Sequence, residues 1–570
     1  MKKIGTVLLT LIGLNILSGF LFFRADLTAE KRYTLSTATR NLLADLDDDI
    51  HVNVYLTGDL PPGFKRLENA VRETLDEFVA RAGRNMTYRF IDVDAAADSS
   101  AKNKLVRQLI QKGLLPTNVF DNKGGKRTEK LIFPGAVVSY KGQEVPVLLL
   151  KGNKAASPEE QLNQSYEGVE YALGLAIRQL TQPAGSRRRV GLLARTSVSP
   201  SRFSDLLASV QQNYDLFFVD LTKPGPLTNF DVLLVPKPDQ PFSDDDLFKI
   251  DQFVVKGGRA LFFVDGARVD SVGAEGTFAQ PLNLNLDELF FQWGIRVNHD
   301  LIKDLSSNSI PLNVGNLGDK PNVQMVPWRF YPIINNFGNG PSLRGLTNRE
   351  KSPITRNLDA VWARFASTMD TVRATGAGNQ PILKTPLLLT SPYTQTRQAP
   401  VVIAYNEARQ QPDPRTYNGG IRMIGCLLEG RFRSLYANQI LAGDSRANGF
   451  KAEGIPGPTG RSRVIICSDG DLVVNDIDYK RQTPYPLGFD RYTRQTFGNK
   501  DFALNAIDYL ADPEGVILAR ARQITLRPLD KIRLQNERTG WQLLNLLGPV
   551  GLVGLIGITW QWSRKRRYGK

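Results

Sequence analysis

Four short runs decide the reading of this chain: VGLLA at 190–194, DLFFVDL at 215–221, FDVLLVP at 230–236 and RALFFVD at 259–265. Each is strand-length and nearly unbroken in its hydrophobicity, the pattern of a parallel strand buried on both faces. Segments of helical character separate them. Ser201–Gln212 is amphipathic, and Ser243 stands before Asp244, Asp245 and Asp246 as a cap followed by charges that suit a helix N-terminus. Gly257-Gly258 stops that helix. Alternation of this kind predicts a doubly wound α/β sheet of flavodoxin- or amidotransferase-like type. Ligands of such sheets bind beyond the carboxyl ends of the strands. Fold position therefore makes Arg195, Lys237, Asp265 and Arg268 the candidate ligand-binding residues, with ordinary polar loop residues as the plainer alternative.

Towards the N-terminus, the basic linker Gly185–Arg189 separates this domain (185–530) from an earlier one (25–184). HVNVYL at 51–56 and MTYRFIDV at 86–93 read as strands. Between them Leu67, Val71, Leu75 and Phe78 recur at helical spacing, and a second helix is expected over 101–113. Two strands, 130–140 and 144–150, surround the Lys141-Gly142 turn, and a long helix capped at Ser157-Pro158 follows. The order βαβαββα predicts a thioredoxin-like fold, in which Pro134 takes the place often held by a cis proline. The redox motif would lie in TGDLPPGF, which has no cysteine, so thiol chemistry is excluded there. Docking of an extended segment and a bare scaffold remain the two readings.

Beyond Asp265 the pattern loosens. About 269–399 is rich in Gly, Asn, Pro and Ser and reads as an insertion with few clear strands. Its Trp328, Phe330 and Tyr331 suit either stacking on a sugar or a satellite core under a long loop. Later strands are expected at 386–389, 401–404, 421–428 and 462–468. Asp469, Asp471, Asp476 and Asp478 crowd one loop, but their spacing is not that of an EF-hand, and aspartates are ordinary turn residues, so no metal is assigned. An oxidising exterior permits a Cys426–Cys467 disulfide; burial as free thiols is the alternative.

Two apolar segments bracket these domains. Ile4–Phe23 is free of charge and long enough to cross a bilayer, and it lacks the small-x-small site of a cleaved signal, so an anchor (1–24) is expected. Trp541–Trp562 is also uncharged, carries tryptophans at both ends, and precedes the basic tail Arg564–Arg567; it defines a C-terminal membrane segment (531–570). Gly548, Gly551, Gly554 and Gly557 recur every third residue and make a broad small face suited to packing against another membrane helix. Lys2, Lys3 and the basic tail put both termini in the cytoplasm of an inner-membrane protein, with the large body periplasmic.

Composition removes whole classes of function. The 570 residues carry 72 Lys+Arg against 57 Asp+Glu, a net +15, yet hold no RNP motif, zinc finger or basic stripe, so nucleic acid is not the expected partner. The charge fits a surface facing lipid or an anionic envelope polymer. Two cysteines and two histidines are too few for a zinc ribbon or iron–sulfur cluster. No P-loop, GxGxxG, GxSxG or HExxH occurs, so no catalytic residue and no cofactor is assigned.

KRYTLSTATRNLLADLDD (31–48), VYLTGDLPPGFKRLENAVRETLDEF (54–78) and GNKDFALNAIDYL (498–510) carry a resemblance across the whole chain. The sequence resembles the GldG family, the gliding-motility-associated ABC transporter components of Bacteroidetes, and its middle domain is similar to one shared with an intraflagellar transport subunit. The resemblance implies a polytopic permease and a cytoplasmic ATPase as partners, a role in gliding motility, and linked protein secretion. It brings no catalytic residues. The competing readings are a free-standing anchored solute or glycan receptor and an unrecognised anchored hydrolase.

Overall fold

The computed structural model describes residues 34–569 except 96–97, 124–125, 151–157, 183–184, 186, 224–226, 228, 274–275, 336–351, 357, 375, 438–459, 479, 512–514 and 522–536. The expected anchor at 4–23 and the cap at Ser157 lie outside the described residues.

The first sheet mixes half-buried strands with a central one, at 135–140, buried on both faces. Helix α1 (Thr37–Ala44) is capped by Ser36, whose Oγ accepts the Thr39 N–H at 3.2 Å. β1 (Ile50–Val54) alternates, burying Ile50, Val52 and Val54. Helix α2 (Pro62–Ala82) starts with Pro62, whose missing N–H costs nothing in a first turn. It lays Leu67, Val71, Leu75 and Phe78 on the sheet, each fully buried. β2 (Met86–Phe90), α3 (Ser99–Gln111), the hairpin β3 (Thr117–Lys123) and β4 (Lys126–Ile132), β5 (Gly135–Tyr140), β6 (Gln143–Leu148) and α4 (Pro158–Thr181) complete the region. The sheet order is β2-β1-β5-β6, with β1 and β2 parallel and β5 and β6 antiparallel to their neighbours.

The single strand expected over 130–140 is two strands of different sheets. The break is at Phe133-Pro134, where the proline has no N–H to give a ladder. The bond before Pro134 is trans; the cis peptide among the described residues precedes Pro400.

The second sheet begins with four parallel strands, β7 (Arg189–Leu192), β8 (Asp215–Phe218), β9 (Val232–Pro236) and β10 (Arg259–Phe263). Helices α5 (Ser204–Asn213) and α6 (Asp244–Val255) connect them, the latter with the capping box expected at Ser243. The chain then leaves the parallel array through α7 (Asp287–Trp293) and β11 (Ile295–Val297), β12 (Asp300–Asp304), β13 (Ser307–Leu317), β14 (Lys320–Ile334), β15 (Met369–Thr371), β16 (Leu383–Leu389), β17 (Thr394–Gln398) and β18 (Met423–Gly430). It returns as β19 (Ser462–Cys467), parallel to β10, and ends the domain with α8 (Asn499–Ala511).

The parallel strands run in the order β8-β7-β9-β10-β19, second-first-third-fourth-fifth along the chain, and β18, β15 and β11 extend the sheet antiparallel beyond β19. Val232 and Leu234 join one core with α5 and α8; Leu233 and Val235 join the other with α6 and α7. Helices therefore cover both faces of the central strands, which is why β9 is apolar throughout, whereas the edge strand β8 leaves Phe217 and Phe218 exposed. The excursion from the parallel strands spans 264–461, beyond the 269–399 expected, because β18 belongs to its antiparallel extension. It also holds more strands than its composition suggests. β14 contains Pro321, Pro327 and Pro332, and its ladder with β13 shifts register twice, so no clean alternation marks it.

Both sheets fall in one compact unit, Met1–Arg522. Tyr171 on α4 and Tyr214 after α5 both donate to the carboxylate of Asp508 on α8. A second unit, Gln523–Lys570, contains α9 (Arg538–Tyr568). Arg538–Arg567 is a 30-residue stretch long and apolar enough to cross a membrane, and its most apolar part is wholly unburied. A Cβ built on Gly548, Gly551, Gly554 or Gly557 would meet nothing within 4 Å.

Candidate functional site

At the carboxyl ends of β9, β10 and β19 the chain gathers charges. Lys237 follows β9 with φ +45°, a left-handed turn that aims its side chain across the strand ends. Its Nζ lies 2.8 Å from Asp265 Oδ2 and 2.8 Å from Asp471 Oδ2. Gly470 makes the close approach possible: a Cβ there would stand 2.6 Å from Lys237 Cγ. The Gly470 N–H donates to Asp265 Oδ1 at 2.6 Å. Asp469, fully buried, accepts the Asp471 N–H and the Arg364 N–H, each at 2.7 Å. Arg364, from the excursion, binds Asp476 at 2.9 Å and stacks over Trp362 at 4.4 Å.

Burial sets the electrostatics, and the pairs redistribute them. Burial drives the Asp469 carboxyl well above the carboxylate range, and the neighbouring Asp471 and Asp265 push it further. Burial also raises Asp265, against the pull of Lys237. For Asp471 burial is outweighed by Lys237 and Arg364, which hold it below its usual range. Burial alone would lower Lys237 and Arg364; the carboxylates overcome it and hold both cations above their ordinary values. Asp265, Asp471 and Asp476 face Lys237, Arg364 and the more distant Arg202, which reaches Asp476 at 3.8 Å.

Oxygens of Asp265, Asp469 and Asp471 come within 4.8 Å of one another, a spacing a divalent ion accepts. The ammonium of Lys237 already bridges two of them, so this chain supplies its own cation there. Asp478 instead caps its own turn, accepting the Lys480 N–H at 2.9 Å.

Of the four residues singled out by fold position, two meet and two do not. Lys237 and Asp265 form the ion pair just described. Arg195 turns away to Asp246 at 2.6 Å and lies 5.3 Å from the Phe242 ring centroid. Arg268 donates to the Asp239 carbonyl at 2.8 Å. Arg364 was not singled out, and nothing in VWARF signals its role: only the folded excursion brings it to the strand ends.

Cys426 and Cys467 are free, buried thiols, so the disulfide is not formed. The ladder explains this: Cys426 pairs with Ile466 and Cys467 with Gly425, a one-residue offset. Successive side chains alternate faces, so Cys426 joins the α6/α7 core and Cys467 the α5/α8 core. The aromatic trio is also a core feature. Trp328 and Phe330 are each 1% exposed and pack with Phe365 and Tyr405 as a core cluster rather than as an open stacking platform.

Comparison with known proteins adds the following. A family model described as an ABC-type uncharacterized transport system matches residues 187–506, and a model of a domain of unknown function matches 29–139. An uncharacterized protein of Borreliella burgdorferi is 23% identical over 330 residues, covering 55% of this chain and 59% of that protein. This chain thus spans about three-fifths of that relative's length. A solved mmIFT52 N-terminal domain is 12% identical, with a TM-score of 0.27, covering 56% of this chain and 96% of that one.

Proposed function

The chain belongs to the family described as an ABC-type uncharacterized transport system, and from that we propose that it is a membrane-anchored, non-enzymatic accessory subunit of an ABC transporter. The family match over 187–506 carries this reading. No P-loop occurs in the sequence, so the power stroke belongs to another chain, a cytoplasmic ATPase acting through a polytopic permease. The unburied apolar surface of α9, with its glycine face, supports helix packing against that permease. The closed ion network at the strand ends supports a structural use of the place where related sheets hold ligands.

In this reading the body is periplasmic, both termini are cytoplasmic, and the complex serves gliding motility with linked secretion. The first sheet is read as thioredoxin-like from its strand order, and the parallel array as flavodoxin-type.

Purification of the full chain from its own membranes in mild detergent, with mass spectrometry of what accompanies it, tests the proposal. A stoichiometric permease and ATPase is the expected result. A partner-free protein in several detergents would overturn it. Replacing Gly548, Gly551, Gly554 and Gly557 with Leu should release the partner while the soluble body stays folded.

A further inference from the structure

The excursion holds a cleft of about 520 Å³ between β12, β14, β17 and the turns at 405–409 and 414–416. That volume is within the range of small-ligand sites, roughly 300–1,000 Å³. Its charged lining is uneven. Lys303 is spoken for by Glu407 at 3.0 Å, and Asp413 accepts the Arg415 N–H of its own turn at 3.0 Å. Arg329 and Arg397 have no carboxylate partner among the described residues. Arg329 spends its Nη1 on the Pro327 carbonyl at 2.8 Å, and its buried Nε meets no acceptor. The indole N–H of Trp328, in the same wall, also lacks an acceptor. Burial pulls the Arg329 guanidinium below its ordinary range, the mark of a cation without a counter-charge. The cleft thus holds two guanidinium groups without a carboxylate partner among the described residues, while its two carboxylates are engaged by Lys303 and by the turn at Asp413.

We propose that this cleft binds a small organic carboxylate with a polar body, its carboxylate received by Arg329 and Arg397. A planar carboxylate matches the guanidinium fork. The carboxylates of Glu407 and Asp413 in the same lining disfavour a phosphate dianion relative to a monoanion. Gln395, Thr416 and Tyr417 supply hydrogen bonds for hydroxyl or amide groups on the ligand body. The proposal stands independently of the transporter reading, since it concerns only the soluble body.

Isothermal titration of the full chain in detergent tests it, with glucuronate and glycylglycine as the acidic-sugar and peptide sources, glucose and glycinamide as neutral counterparts, and inorganic phosphate as the competing anion. Binding of one or both carboxylates, not of the neutral compounds, is expected. Arg397→Gln, an exposed position that leaves the fold intact, should weaken binding on the order of tenfold, as loss of a charge-assisted bond does. Arg329→Gln should do the same. No carboxylate binding at millimolar concentration, equal binding of phosphate, or unchanged affinity in the Arg329→Gln/Arg397→Gln double variant would overturn the assignment.

Discussion

Lys237 shows how a single side chain can close a site. It is a cation between two carboxylates with about a fifth of its side chain exposed. Removing one member of a buried pair strands the others at a cost of about 3–5 kcal/mol. Lys237→Met should therefore destabilise strongly, and adding Asp265→Asn and Asp471→Asn should restore part of the loss, read by denaturant unfolding of the full chain in detergent. Asp251 offers a pH signature. Burial pushes its carboxyl up to about 6, although Ser434 and the Leu435 N–H support the anion. In the unfolded chain this group ionises near 3.8, the ordinary aspartate value. Its contribution to stability is therefore full below that pH and is lost as pH rises towards 6. Asp251→Asn should flatten the melting-temperature profile between pH 4 and 6 relative to the parent; identical profiles would refute the assignment. The thiols give a third test. Burial lifts Cys426 to about 12 and Cys467 well above the thiol range. Neither should alkylate in the native protein at neutral pH, and both should react once it is unfolded.

At the scale of elements, legibility followed the hydrophobic pattern. The β7, β9 and β10 runs were readable because strands covered on both faces must be nearly apolar throughout, and the helix at 244–255 because Ser243 and three aspartates mark its start. β13 and β14 were hidden because their prolines and register shifts erase alternation. Arg364 and Arg329 stayed invisible for a related reason. Each acquires its neighbours from segments distant in sequence, and a lone arginine among aromatic residues carries no spacing signal. The short turn at 470–473 is the element on which the ion network hangs. Gly470→Ala would drive a Cβ to 2.6 Å from Lys237 Cγ, so a loss of about 1–3 kcal/mol is expected. Gly273→Ala, with nothing within 4 Å and an ordinary φ, is the matched control and should be near neutral in the same unfolding assay.

Across the whole molecule, Asp508 ties the first α/β region to the second. Tyr171 and Tyr214 donate to it, Arg178 approaches it at 3.8 Å, and nearby Arg356 reaches Glu167 at 3.4 Å. Asp508→Ala would leave two buried hydroxyls without their acceptor, at roughly 1–3 kcal/mol each. Limited proteolysis should then cut faster near the 185–189 linker; an unchanged digestion rate would remove Asp508 from this role. The sequence by itself determined the strand–helix alternation, the apolar C-terminal helix and the absence of a nucleotide-binding motif, because each is written in contiguous residues as period, length or fixed spacing. Only the tertiary structure decided that Lys237 is bound by Asp265 and Asp471, that Cys426 and Cys467 face opposite cores, and that two guanidinium groups share a cleft. Those outcomes depend on ladder register and on chain returning from distant sequence, Gly470 meeting Asp265 across 205 positions, and neither leaves a trace in local pattern.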